Sequence, residues 1–114
     1  MKTDQLAILA ESIVAATIAE LPAKLRDRMR SVPVLIEGTP SPFDLEVGIE
    51  PDTLGFFDED IEGLARIRLW IENIHAFASD ENLPFEDEVR TTLLHEIGHL
   101  VGWDEDDLDE RGLR

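Results

Sequence analysis

The stretch His95-Glu96-Ile97-Gly98-His99 places two histidines four residues apart, with a glutamate directly after the first. In an α-helix four residues advance by about 400°, so the two imidazoles lie about 40° apart on one face. Imidazole nitrogen is a good zinc ligand, and a neighbouring carboxylate can accept a proton from a metal-bound water. The stretch therefore predicts a zinc site with His95 and His99 as ligands and Glu96 as general base.

The helix that contains this stretch is predicted to begin near Pro84 and to run to about residue 101. On a helical wheel Ile97 lies at the centre of an apolar stripe, whose other members are Val89, Leu93, Leu94, Leu100 and Val101. Both histidines fall on the opposite side, together with Glu88 and Thr92. We therefore expect the histidines to face a cleft rather than the hydrophobic core.

A third metal ligand is expected after the helix, because a catalytic zinc site normally has three protein ligands and a water. Gly102 lies three residues past His99 and can adopt the left-handed conformation that ends a helix. Glu105 follows three residues later and could supply a carboxylate oxygen. The sequence therefore predicts Glu105 as the third ligand.

Length and composition indicate one globular domain over residues 1–114, since 43% of the residues are hydrophobic and 32% are charged. The chain contains no cysteine, so a transition metal must be held by histidine and carboxylate side chains.

The formal net charge of -16 argues against a nucleic-acid partner, because such binding depends on clustered lysine and arginine. The N-terminus lacks a basic leader region, and the apolar run at residues 12–19 is too short to span a bilayer. We therefore expect a cytoplasmic protein with no membrane partner, while the oligomeric state stays open.

The remaining sequence predicts two further helices and a small group of strands. Helical spacing favours a helix at residues 4–20, and Pro22 can begin a short helix that reaches residue 30. Alternation or β-branched runs predict strands at residues 32–37, 43–50, 54–57 and 65–72. The last of these is the clearest, and an exposed edge of it could pair with an extended peptide. Residues 79–83 are predicted to form a loop.

From Val89 to about Gly112 the sequence resembles a family of small bacterial zincin-like metallopeptidases. That family has the motif H-E-x-G-H-x-x-G-x-x-D and an acidic C-terminal stretch, and this chain reads H-E-I-G-H-L-V-G-W-D-E. The resemblance extends over most of the chain, including an N-terminal helix and a Leu-Gly-aromatic segment like residues 54–57. It implies an α+β, minimal zincin-like fold with the N-terminal helix and the active-site helix packed on a small mixed β-sheet.

The chain departs from that motif at Glu105, where the family usually has aspartate. Asp104 and Asp106 are therefore alternative candidates for the third ligand.

Other metalloprotein families fit less well. Metzincins have a methionine turn after the motif, whereas Met1 and Met29 both precede it, and gluzincins take their third ligand from a later helix. RNA-maturation metalloproteins share His99-Leu100, Gly102 and Asp104 but lack the glutamate, and this chain is too acidic for an RNA substrate.

The resemblance implies a zinc-dependent metallopeptidase that acts on a peptide or protein substrate, with Zn²⁺ as its cofactor. Glu96 would take the proton of the metal-bound water and deliver it to the leaving amine. The sequence contains no tyrosine to stabilise the oxyanion, and the candidates for that role are His75, Arg66 and Arg111.

The alternative hypothesis is a metal-binding protein of the zincin fold that has weak or no peptidase activity and acts as an interaction module.

Overall fold

The computed structural model describes residues 2–102 of the chain. It is an α+β structure with a small mixed sheet, as the family resemblance implies. Its elements in chain order are α1 (Thr3–Ala19), α2 (Ala23–Met29), β1 (Val34–Glu37), α3 (Pro42–Glu46), β2 (Gly55–Glu59), β3 (Ala65–Trp70), α4 (Ile71–Asp80) and α5 (Phe85–Leu100).

The sheet has the strand order β1-β3-β2. β1 runs parallel to β3, with Val34 opposite Ile67, and β2 runs antiparallel to β3, with Gly55 opposite Leu69. The expectation that the strand near residues 65–72 has an exposed edge is therefore wrong, because β3 is paired on both sides. Within residues 2–102 the outer strands are β1 and β2.

Helices α1, α4 and α5 contact one another, and all three contact the sheet. The hydrophobic core includes buried side chains from these helices and from β3, namely Leu6, Ala10, Val14, Ala65, Ile67, Leu69, Ile71, Ile74, Val89, Leu93 and Ile97. Each large apolar side chain contributes roughly 1.5–3 kcal/mol when it is fully buried. The apolar stripe predicted for the last helix is confirmed for Val89, Leu93, Leu94, Ile97 and Leu100, and it fixes the direction in which α5 presents its other side.

Helix α4 was not predicted, and the strand prediction for residues 65–72 extends too far. β3 ends at Trp70 and α4 begins at Ile71. Ile71, Ile74 and Ala78 are all buried, at the spacing of one helical face. Alternation along β3 happens to continue to Ile71, so the pattern alone does not show where the strand ends. The following loop is correspondingly shorter than predicted, because α4 reaches Asp80.

The predicted strand at residues 43–50 is also wrong, because Pro42–Glu46 is a short helix. Ser41 caps it: its hydroxyl accepts a hydrogen bond from the Asp44 backbone N–H at 3.1 Å, and the Asp44 carboxylate accepts one from the Ser41 N–H at 2.8 Å. Proline at the first helical position adds to this capping box. The alternating Phe43 and Val47 are 68% and 60% exposed, so they line no core.

Arg68 on β3 ties this short helix to the sheet. Its guanidinium donates to Asp44 Oδ1 at 2.9 Å and to Glu37 Oε1 at 2.9 Å. The hydrogen bonds from Arg68 and from the Ser41 backbone hold the pKa of Asp44 well below its usual range. The link lies on the side of β3 away from Ile67 and Leu69, because successive side chains of a strand point to opposite faces.

None of the helices within residues 2–102 has the length and apolar character needed to span a membrane.

Candidate metal centre

The candidate site lies on α5, whose ends are set by local sequence. Pro84 precedes the first turn, and Glu86, Asp87 and Glu88 within that turn complement the helix dipole. At the other end the Gly102 backbone N–H donates to the His99 carbonyl at 3.0 Å. Gly102 has a φ of +83°, which is the left-handed conformation predicted for the helix stop.

His95 and His99 lie next to each other on the last two turns of α5. Their Nε2 atoms are 3.0 Å apart, and their ring centroids are 4.6 Å apart with the ring planes at 84°. Both residues are partly buried. The four-residue spacing therefore brings the two Nε2 atoms close together on one side of the helix, as expected.

Glu96 is largely buried, with 8% of its surface exposed. It also lines the same cleft as His95, so its side chain lies at the boundary between the core and the cleft. A glutamate in this position is shielded from bulk water but remains next to the histidine pair.

The cleft has a volume of about 340 Å³ and lies between α5 and the start of β2. Its lining residues are Leu54, Gly55, Glu88, Thr91, Thr92, His95 and Glu96. His95 thus faces this cleft rather than the core, as the helical wheel predicts, while the partly buried His99 is not among its lining residues.

Gly55 sets the distance between the two walls of this cleft. A Cβ at this position would lie 2.8 Å from Thr92 Cγ2 and 3.3 Å from the Arg68 carbonyl oxygen. A contact of 2.8 Å does not occur without movement of a neighbour, so β2 can approach α5 this closely only with glycine at position 55. The contact joins residues far apart in the sequence, and the glycine within an apolar run is the only signal that could have indicated it.

Glu88 is the second carboxylate of the cleft and is partly buried. Burial raises its pKa above the usual range, while a hydrogen bond from Thr92 acts in the opposite direction. Its carboxylate is therefore harder to ionise than that of a solvated glutamate.

The histidine pair fits a zinc ion. Two nitrogens that bind zinc at about 2.0–2.1 Å in tetrahedral positions lie about 3.3 Å apart. The observed Nε2–Nε2 distance of 3.0 Å is within a few tenths of an ångström of that value. Uncharged imidazole nitrogens also suit zinc chemically.

The third ligand falls outside the described part of the chain. Glu105 and its alternatives Asp104 and Asp106 all follow residue 102. Within residues 2–102 no group of three or more histidine, aspartate or glutamate side chains is arranged to hold a metal ion. The assignment of Glu105 therefore stays a prediction.

Of the candidates for oxyanion stabilisation, the two within residues 2–102 do not line the cleft. Arg66 donates to Asp58 Oδ1 at 2.8 Å, and His75 on α4 packs edge-on against the Phe85 ring with centroids 5.8 Å apart. Neither residue lines the cleft beside His95, and Arg111 lies outside the described residues.

A comparison with protein families identifies the family of this chain. The family model described as zincin-like metallopeptidase matches residues 29–113, which is more than half of the chain. The chain belongs to the zincin-like metallopeptidase family. The resemblance inferred from the motif is thereby confirmed, as is the minimal zincin-like fold, and the family as a whole is associated with zinc and with peptide hydrolysis. No curated protein matches the chain.

Proposed function

We propose that this zincin-like protein is a zinc-dependent peptidase in which His95, His99 and Glu105 hold the metal. The observation that supports the proposal most directly is the 3.0 Å approach of the two histidine Nε2 atoms beside a cleft that also contains Glu96. When bound, zinc supplies a water of pKa about 7 and polarises the scissile carbonyl.

Glu96 is the general base of the proposed reaction. One of its carboxylate oxygens accepts the proton of the attacking water and then delivers that proton to the nitrogen of the leaving amine. The low exposure of Glu96 supports this role, because a carboxylate shielded from bulk water holds and returns a proton to a bound partner more readily than a solvated one.

The substrate is proposed to bind in an extended conformation along β2. Within residues 2–102 this strand pairs only with β3, and its first residue, Gly55, borders the cleft. An extended peptide can add to such an edge through main-chain hydrogen bonds. Its scissile bond would then lie near the histidine pair, so the peptide-binding edge belongs to β2 rather than to β3.

The test compares the zinc-loaded parent protein with Glu96→Gln on a broad peptide library. We expect Glu96→Gln to keep its zinc and to lose at least about 100-fold in cleavage rate, because proton transfer contributes that much. Glu86→Gln is the matched control: it makes the same change on an exposed residue of α5 and should cleave like the parent.

Equal cleavage by Glu96→Gln and the parent would show that Glu96 is not the base. If the zinc-loaded parent cleaves no peptide of the library, the proposed activity is wrong and the interaction-module alternative is supported.

A further inference from the structure

Glu88 lines the same cleft as His95 but has no part in the proposed proton transfer. It lies seven residues before His95 on α5, which is a rise of roughly 10 Å along the helix axis. That distance corresponds to about three residues of an extended peptide. A substrate lying along β2 with its scissile bond near the histidines would therefore pass Glu88 two or three residues away.

The charge of Glu88 is not balanced by any side chain described in residues 2–102. Three other buried or half-buried carboxylates, on the sheet and on α3, are paired with arginine: Asp44 and Glu37 with Arg68, and Asp58 with Arg66. Glu88 forms no salt bridge with a lysine or arginine in that part of the chain, and its partner is the Thr92 hydroxyl. Burial without a counter-charge is also the reason that its pKa is raised.

We infer that Glu88 is a specificity-determining residue, which binds a cationic nitrogen of the substrate two or three residues from the scissile bond. This inference rests on the proposed peptidase function and names its substrate class as peptides with a positive group at that distance. A cation there would form a charge-assisted hydrogen bond with a partly desolvated carboxylate, and such bonds are stronger than neutral ones.

Two sources could supply the positive group: a lysine or arginine side chain, or the free N-terminal ammonium of a short peptide. Both present N–H donors with a positive charge to the carboxylate. The overall charge of -16 would also attract any basic peptide, but over a long range and without regard to position. The experiment must therefore separate the local contact from the general field.

The test measures peptide affinity in Glu96→Gln, which is expected to cleave its ligand at least about 100-fold more slowly than the parent. Fluorescence anisotropy gives Kd for N-acetylated hexapeptides that carry arginine, or the uncharged citrulline of similar shape, at each position in turn. A second set contains no basic residue and compares free with acetylated N-termini. Each set is measured with and without added zinc on Glu96→Gln alone and combined with Glu88→Gln or with Glu86→Gln.

We expect arginine at one position, or the free N-terminus, to improve affinity about tenfold over its uncharged counterpart, as for a charge-assisted hydrogen bond. Glu88→Gln should abolish this preference, because glutamine keeps the shape but not the charge. Glu86→Gln removes the same charge from an exposed site of the helix and should leave the preference intact. The peptide set that shows the preference identifies the source of the cation.

The inference is overturned if the charged and uncharged peptides bind within about twofold of each other, or if none binds. It is also overturned if Glu88→Gln keeps the preference, or if Glu86→Gln and Glu88→Gln weaken it equally. Failure of the proposed function is a separate result: a parent protein that cleaves nothing while Glu88 still selects cationic peptides is a binding protein with this specificity.

Discussion

Arg66 and Arg68 lie two residues apart on β3 and point to the same side of the sheet, yet their ion pairs differ in burial. The Arg66 side chain is 49% exposed beside Asp58, whereas the Arg68 side chain is 10% exposed between Asp44 and Glu37. A solvated pair contributes little to stability, but removal of one partner from a buried pair leaves an uncompensated charge. The two arginines therefore provide an internal comparison of surface and buried ion pairs.

We predict that Arg68→Ala lowers the free energy of unfolding by about 3 kcal/mol, because it leaves the Asp44 carboxylate buried without its cation. Arg66→Ala should lower it by no more than about 1 kcal/mol. Urea denaturation of the two variants and the parent measures both values. Equal effects of the two substitutions would contradict the difference in burial.

Acid should reduce the difference in free energy of unfolding between the parent and Arg68→Ala. The folded-state pKa of Asp44 is depressed, so the stability that the pair contributes is fully present above the unfolded pKa of about 3.9 and is lost as the pH falls through the folded pKa. The curves of stability against pH for the two proteins should therefore converge below about pH 4. A difference that stays constant into this range would show that the effect of Arg68→Ala is not electrostatic.

At the scale of secondary structure, the contact between β2 and α5 determines the width of the candidate cleft. Gly55→Ala places a methyl group against Thr92 Cγ2, so the strand and the helix must move apart. We predict a loss of about 1–3 kcal/mol in the free energy of unfolding, which is typical of overpacking.

Thr92→Ser removes the methyl group that the new Cβ would meet, so the double variant should recover part of that loss. A double-mutant cycle by urea denaturation measures the coupling, which should exceed about 0.5 kcal/mol for residues in contact. Strictly additive effects of the two substitutions would show that Gly55 and Thr92 do not limit the approach of β2 to α5.

Local sequence determines α5, and for that reason it could be predicted almost to its ends. Proline and acidic residues mark its start, an apolar stripe runs along it, and a left-handed Gly102 ends it. The short distance between the His95 and His99 side chains depends only on helical spacing, so it was also predictable. The close packing at Gly55 depends on a contact between β2 and α5, which are far apart in the sequence. Neither residue spacing nor composition determines the distance between these two elements.

Alternation of apolar and polar residues gave a wrong strand prediction where the same residues also contained a helical pattern. Phe43 and Val47 alternate with polar residues as in a strand, but the capping box of Ser41 and Asp44 favours a helix and the chain follows the cap. At Ile71 the strand and helix patterns overlap, because Ile71, Ile74 and Ala78 continue at helical spacing after β3 ends. In both places the sequence contained the competing pattern: the local cap decided for the helix at Asp44, and burial of one helical face decided for it at Ile71.

At the scale of the whole molecule, the 26 aspartates and glutamates give the chain a strongly acidic surface. Carboxylates also bind zinc, so a surface of this kind can retain weakly bound metal that takes no part in catalysis. A zinc measurement is informative only if it distinguishes the histidine pair from this background.

The three histidines of the chain provide the necessary control, since His75 packs against Phe85 and lies outside the cleft. Elemental analysis after zinc addition and extensive desalting should give about one zinc per chain for the parent and for His75→Ala. His95→Ala and His99→Ala should each retain less than about a tenth of an equivalent, because each removes a ligand. A parent protein without zinc, or a His99→Ala variant that keeps a full equivalent, would contradict the proposal that these two histidines hold the metal.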